Sequence, residues 1–244
     1  MTLRVWLAAL LLFLSTVLVR LPANWALHLL PANLSCEQAS GTLWHGSCAR
    51  LQAAGLAIGP VSWQLHALPL LIARIDAEVH SDDARLPAQA HVSLRSGGRV
   101  EASAVRAQFE LSPDLLPSFP EGWQGQVRLN LAALSAAAGR LISLQGTVDV
   151  ASLRQQTPAM SLGSYQLNFA PVAGASDGVV GNLRDTAGPL SVAGTLRYTA
   201  SGGYEINGTV AARNEATPDL AKAVEYLGEV DGQGRRQFSL AGTL

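Results

Sequence analysis

Beyond residue 32 the hydrophobic pattern of the chain has a period of two. Val61, Trp63 and Leu65 alternate with Ser62, Gln64 and His66, and Ile75, Ala77 and Val79 alternate with Asp76, Glu78 and His80. Val92 and Leu94 fall between His91, Ser93 and Arg95, and Val127, Leu129 and Leu131 follow Gln126, Arg128 and Asn130 in turn. The alternation returns at 144–150, 165–169, 190–198, 204–210 and 238–244. Side chains two apart on an extended chain share a face, so each stretch predicts a strand with one apolar and one polar face. Ser96-Gly97-Gly98, Gly122-Trp123-Gln124-Gly125, Asp177-Gly178 and Ser201-Gly202-Gly203 supply turn chemistry between them. Short connections predict an antiparallel meander rather than crossover units.

One helix is signposted: Thr217 suits the cap, Pro218 the first helical position and Asp219 the first-turn dipole. Leu220, Val224 and Leu227 then form an apolar stripe that Gly228 ends. A weaker helical turn is expected over 132–140. The predicted fold is mainly β, an antiparallel curled sheet or sandwich-like domain over residues 32–244 with one short helix near its C-terminus. A sheet with a continuous apolar face must fold over, meet a partner or hold lipid. One helix cannot cover it, so a sandwich, a curled sheet and a lipid-lined groove all fit the pattern.

The N-terminus breaks this period. Residues 5–19 form an uncharged apolar run, Ser15 and Thr16 its only polar members, with Arg4 before it and Arg20 after. The run is short against the ~20 apolar residues of a spanning helix. However, Trp6 and Trp25 are 19 positions apart, about 28 Å along a helix, which matches a hydrocarbon core with an indole at each interface. Arg20 can snorkel to the headgroups. Residues 5–21 are therefore expected to be a transmembrane signal-anchor. Residues 1–4 would be cytoplasmic, residues 32–244 periplasmic, and the chain single-pass in the cell inner membrane. A cleaved signal peptide is the competing reading, but the exit from the run lacks a small-x-small cleavage pattern. Either reading exports the rest of the chain.

That setting bears on the two cysteines, Cys36 and Cys48, which flank the turn at Gly41-Thr42-Leu43-Trp44-His45-Gly46. If the flanking segments pair as a hairpin, the thiols can face each other and close a disulfide of about 2–3 kcal/mol. Two buried free thiols are the alternative. Composition removes other classes. Charged residues are 14% and the formal net charge is -1, so no electrostatic footprint for nucleic acid exists. His28, His45, His66, His80 and His91 lack metal-ligand spacing. Asp82-Asp83 and Gly232-Gln233-Gly234-Arg235-Arg236 read as turns, and no phosphate loop, nucleophile elbow or metalloprotease helix is present. No catalytic, cofactor-binding or metal site is expected.

The chain resembles protein N of the bacterial type II (general) secretion pathway. The resemblance is carried first by Gly41-Thr42-Leu43-Trp44-His45-Gly46, Gly55-Leu56, Gly59-Pro60 and Val61-Ser62-Trp63-Gln64-Leu65. It resumes at Gly203-Tyr204, Gly208, Leu220, Tyr226-Leu227-Gly228, Asp231-Gly232-Gln233-Gly234-Arg235 and Ser239-Leu240-Ala241-Gly242. Residues 85–185 match in character only. The resemblance implies a bitopic inner-membrane accessory component with a periplasmic domain. Its partners would be other secretion subunits, its task the export of folded proteins, and it would have no catalysis. Gly41, Thr42, Leu43, Trp44, Gly46, Trp63, Gly228 and Gly234 form the structural signature. Trp44 is expected to pack into the sheet's apolar face, or else to stand exposed as a partner anchor. The chain is also similar to the AsmA-like class of membrane-anchored β-groove proteins, which implies a lipid-binding or lipid-transfer role as the alternative.

Overall fold

The computed structural model describes residues 6, 10, 13, 16–24, 34–53, 56–72, 74–95, 98–112, 122–170, 178–199 and 202–243. The strands are β1 (Leu34–Gly41), β2 (His45–Ala53), β3 (Leu56–His66), β4 (Ile75–Ser81), β5 (Ala88–Arg95), β6 (Arg99–Glu110) and β7 (Trp123–Ala137). They continue as β8 (Arg140–Gln155), β9 (Met160–Phe169), β10 (Val179–Ala187), β11 (Leu190–Tyr198), β12 (Gly203–Ala212) and β13 (Arg236–Thr243). Helix α1 (Pro218–Glu225) joins β12 to β13, and a 3-10 turn, Leu68–Ile72, lies between β3 and β4. All thirteen strands form one antiparallel sheet in strictly sequential order. Among the described residues there is thus no second sheet to make the sandwich, and the meander expectation holds from end to end.

Register explains why the pattern produces this sheet. One rung crosses every strand through polar side chains alone: Ser40, Ser47, Ser62, His80, Gln89, Arg106, Asn130, Thr147, Asn168, Asn182, Thr195, Asn207 and Ser239. A neighbouring rung runs from Ala39 and Cys48 through Val61 and Leu129 to Phe238, with Ser81 its one polar member. A slip of one residue would exchange the two faces, so alternation itself locks the pairing. Where the count fails, a bulge absorbs it. Ala104 (φ 50) and Ser152 (φ 52) take left-handed backbone beside register shifts in β6 and β8. The expected helical turn over 132–140 is instead the end of β7, a tight turn and the start of β8. Leu134, paired with both Ala102 and Leu144, is needed in the apolar rungs. Likewise Trp123–Gly125 belong to β7 rather than to a turn, because Trp123 pairs with Gln155.

A helix covers the apolar face at one place. Thr217 caps α1 by accepting the Leu220 amide, and Leu220 and Val224 then close over Leu190, Val192 and Val210. Elsewhere Cys48, Val61, Val127, Leu131 and Phe169 are buried while most of the face is half-buried, and no large side chain among the described residues is fully buried. The accessible surface is 15650 Å², against about 10,000 Å² for a compact monomer of 25.6 kDa.

One ion pair braces the covered patch. Asp185 lies on the apolar face opposite Tyr165, accepts the Val192 amide at 2.7 Å and meets the Arg213 guanidinium. Arg213 also donates to the Gly188 carbonyl at 2.9 Å. Burial alone would raise the Asp185 carboxyl, but the Val192 amide and Arg213 outweigh it and hold it below the usual carboxylate range. Burial likewise pushes the neighbouring Tyr165 hydroxyl up to about 12. Because the folded-state pKa of Asp185 lies below its unfolded value, its contribution is complete above the unfolded pKa and disappears as pH falls through the folded one. Urea midpoints measured from pH 7 to pH 2 should therefore fall less steeply on the acid side in Asp185→Asn than in the parent chain. Parallel acid limbs would remove Asp185 from the account.

Candidate functional site

The N-terminal segment meets the sheet at the β1–β2 turn. Thr42 closes that turn twice, its amide donating to the His45 carbonyl at 2.9 Å and its hydroxyl accepting the His45 amide at 3.2 Å. The residues before it are helical at 16–19, and Arg20 and Leu21 turn back on the helix through bonds to the Thr16, Val17 and Leu18 carbonyls. Leu21–Ala23 then run alongside the turn. The Leu43 amide donates to the Leu21 carbonyl at 2.8 Å, the Ala23 amide donates to the Gly41 carbonyl at 3.2 Å, and Pro22 forms a bridge with Thr42. Ala23 is buried there.

Trp44 completes the junction. Its indole N–H donates to the Leu18 carbonyl at 2.8 Å, a second and shorter bond than the one from the Leu21 amide at the helix end. Arg20, exposed just beyond, puts its cation at the favourable end of the helix dipole. Through its indole bond the half-buried Trp44 clasps the N-terminal segment. Its own carbonyl accepts the Leu65 amide at 2.7 Å and extends the β2–β3 ladder. Trp63 supports the turn from β3, its indole N–H donating to the Leu43 carbonyl at 3.1 Å. Trp63 lies over Gly46, where an added Cβ would stand 2.4 Å from the ring. Gly41 (φ 86) needs left-handed backbone at the strand exit. Trp44→Phe keeps the ring and removes the clasp. It should speed amide exchange at Leu43 and Ala23 by the loss of about 1 kcal/mol, leaving the β10–β12 amides unchanged. Unaltered exchange at both sites would show the clasp to be idle.

Cys36 and Cys48 are joined as a disulfide with Cα atoms 5.9 Å apart. Regular alternation would put positions 36 and 39 on opposite faces, and Cys48 pairs with Ala39. Gln38 (φ 59) resets the alternation and brings Cys36 to the side of Cys48.

The remaining signature residues sit at the opposite end of the strands. Gly228 follows α1 and its carbonyl accepts the Arg236 guanidinium at 3.2 Å. Gly234 (φ 78) lies in the turn organised by Asp231, which accepts the Gln233 and Arg235 amides and the Arg235 guanidinium. These bonds, the Arg235 amide first, hold the Asp231 carboxyl below the usual range. Asp83 is held low in the same way by Arg85, so Asp82-Asp83 is a turn. His66, His80 and His91 are exposed on the polar face. An open hollow of about 730 Å³ on that face is lined by His80, Arg106, Arg128 and Asn130 among others. Among the described residues, no group of three or more His, Cys, Asp and Glu could hold a metal ion.

Of the membrane-interface residues, Trp6 is 75% exposed and helical, whereas Trp25 lies outside the described residues. Leu10 and Phe13 are also helical and exposed. Among the described residues no helix is long and apolar enough to cross a membrane. Sequence reasoning missed the Leu18 and Leu21 carbonyls as the turn's partners, since main-chain acceptors leave no side-chain signature. It also passed over Leu68–Ile72, an apolar run without alternation between two alternating strands.

The family model for type II secretion system (T2SS), protein N, matches residues 32–239. Type II secretion system protein N of Aeromonas hydrophila is 31% identical over 255 residues, covering 99% of this chain and 99% of its own. The proteins of the same name from Pectobacterium carotovorum and Vibrio cholerae are each 25% identical. They cover 88% and 95% of this chain, and 86% and 94% of their own. No solved structure matches. The match takes in both the helix-clasping turn and the helix-covered end of the sheet, and the chain belongs to the type II secretion system protein N family.

Proposed function

We propose that this chain is an accessory subunit of the type II secretion system that assists protein export across the outer membrane. Its apolar segment, residues 5–21, holds it in the inner membrane, and its sheet, residues 32–244, lies in the periplasm. There it contacts other secretion subunits and performs no catalysis. One observation carries this reading: the end of the apolar segment is fastened to the β1–β2 turn by two main-chain bonds and the Trp44 indole. A helix held in a bilayer thereby fixes the sheet beside it, raising its effective concentration around other anchored subunits. Arg4, the one basic side chain before the apolar run, favours a cytoplasmic N-terminus. Among the described residues the sheet ends in β1 and β13, and beyond the bonds from Ala23 to Gly41 and from Gln237 to Glu229 their outer edges offer a partner a place for strand addition.

The test is cross-linking mass spectrometry on inner membranes holding the protein at native level, with intact-mass analysis of the same sample. Cross-links to secretion subunits on a chain that retains residues 1–26 support the reading. Absence of any association, together with normal export after gene deletion, refutes it.

A second reading, a lipid-binding or lipid-transfer module of AsmA-like type, draws on the stretches of the apolar face beyond α1 that are half-buried. Native mass spectrometry would then find co-purifying acyl chains, and a lipid-free protein would exclude it.

A further inference from the structure

The sheet end that receives the N-terminal segment carries two more features on adjacent strands. The first is Leu68–Ile72, where Leu68 is 80% exposed, Leu70 37% and Ile72 74%. The second is a row of arginines on the polar face. Arg95 pairs with Arg99, Arg99 with Ala137 and Ala137 with Arg140. Arg74 immediately precedes Ile75, whose partner is Leu94, so it extends the row to β4. Asp76 and Glu101, two rungs inward, pair with Arg74 and Arg95 at 2.8 and 2.9 Å. Arg99 and Arg140 are exposed and have no carboxylate partner among the described residues. The row spans β4 to β8, about 20 Å at 4.8 Å per strand.

We propose that this end of the sheet is a membrane-contacting rim: Leu68, Leu70 and Ile72 insert into the headgroup region of a bilayer, and the arginine row binds anionic phospholipid phosphates. The inference rests on the anchored reading above. Continuity argues for a bilayer as the occupant. The Trp44 clasp fixes the apolar segment to the β1–β2 turn, and the β3–β4 connection carrying Leu68–Ile72 leaves the same end of the adjacent strand. Apolar side chains beside guanidinium groups match the depth profile of an interface, where aliphatic groups sit below the phosphates and cations at their level. Arginine binds phosphate with paired N–H donors in a fixed fork.

The experiment uses the full chain in phosphatidylcholine vesicles, with and without phosphatidylglycerol, and with the Cys36–Cys48 bridge oxidised. Spin labels are placed singly through Ile72→Cys, Phe13→Cys and Asn214→Cys, the last at the opposite end of the strands. The ratio of oxygen to nickel-chelate accessibility reports depth. Expected is a ratio at Ile72 several-fold above that at Asn214, rising further with phosphatidylglycerol, and losing that rise in Arg99→Glu/Arg140→Glu. An aqueous Ile72 label with Phe13 in hydrocarbon overturns the rim and leaves the anchor intact. An aqueous label at both positions overturns the anchor and the rim with it. An immersed Ile72 that responds neither to phosphatidylglycerol nor to the charge reversal overturns the arginine assignment.

Discussion

Leu220→Ala is expected to lower the stability of the C-terminal end of the sheet by about 3 kcal/mol, the middle of the range for emptying a buried leucine site. Leu220 is 4% exposed and, with Val224, forms the apolar stripe of an eight-residue helix seated on Leu190, Val192 and Val210. A helix of that length does not persist in water unaided. Removing its main contact therefore releases α1 and exposes the patch of the apolar face that it covers. The loss should be local, because the strand order is strictly sequential and each strand pairs only with its chain neighbours. Stacked repeats share this quasi-one-dimensional wiring, in which stability is a sum of neighbour terms. Urea unfolding of the full chain in detergent, combined with amide exchange, checks both claims. The midpoint should fall and the β11, β12 and α1 amides lose protection while β1–β3 keep theirs. Equal loss at β1–β3 would mean that the sheet melts as a unit.

How much of this was legible depended on whether side chains or main chain carried the signal. Period-two alternation read out the strands because most rungs repeat one polarity across neighbours, as Asn130, Thr147 and Asn168 do. Thr217, Pro218 and Leu220 announced α1 because capping and burial both act through side-chain identity. Residues 132–140 misled for the converse reason. Their Ala and Leu content favours helix locally, yet pairing on two sides overrides propensity when Leu134 must meet Ala102 and Leu144. The clasp was out of reach. Trp44 and Leu18 are 26 positions apart, and the acceptor is a carbonyl that any residue would supply. The Cys36–Cys48 pairing was open in the sequence because its facing depends on the left-handed Gln38 between them. A reading of alternation alone puts the two sulfurs on opposite faces.

That bridge carries the other large effect. Cys36→Ser/Cys48→Ser should destabilise the N-terminal end by about 3 kcal/mol, the loop-closure value for so short a ring. The cross-link spans a sequence separation of 12. β1 is an edge strand whose one strand partner is β2, with a further bond from the Ala23 amide to Gly41 at its end, and its pairing is interrupted at Gln38. With the bridge gone, the β1–β2 ladder is the main hold on β1, and the turn that clasps Leu18, Leu21 and Ala23 hangs from the same hairpin. Reduction of the parent chain should therefore speed amide exchange at Leu43 and Ala23 as well as along β1, and make residues 34–41 open to protease. The α1 patch should be untouched. The two losses should then add within about 0.5 kcal/mol when the serine pair is combined with Leu220→Ala, as independent sites do. A clear deviation would reveal coupling along the whole sheet. A strand-by-strand account of its stability would then have to be abandoned.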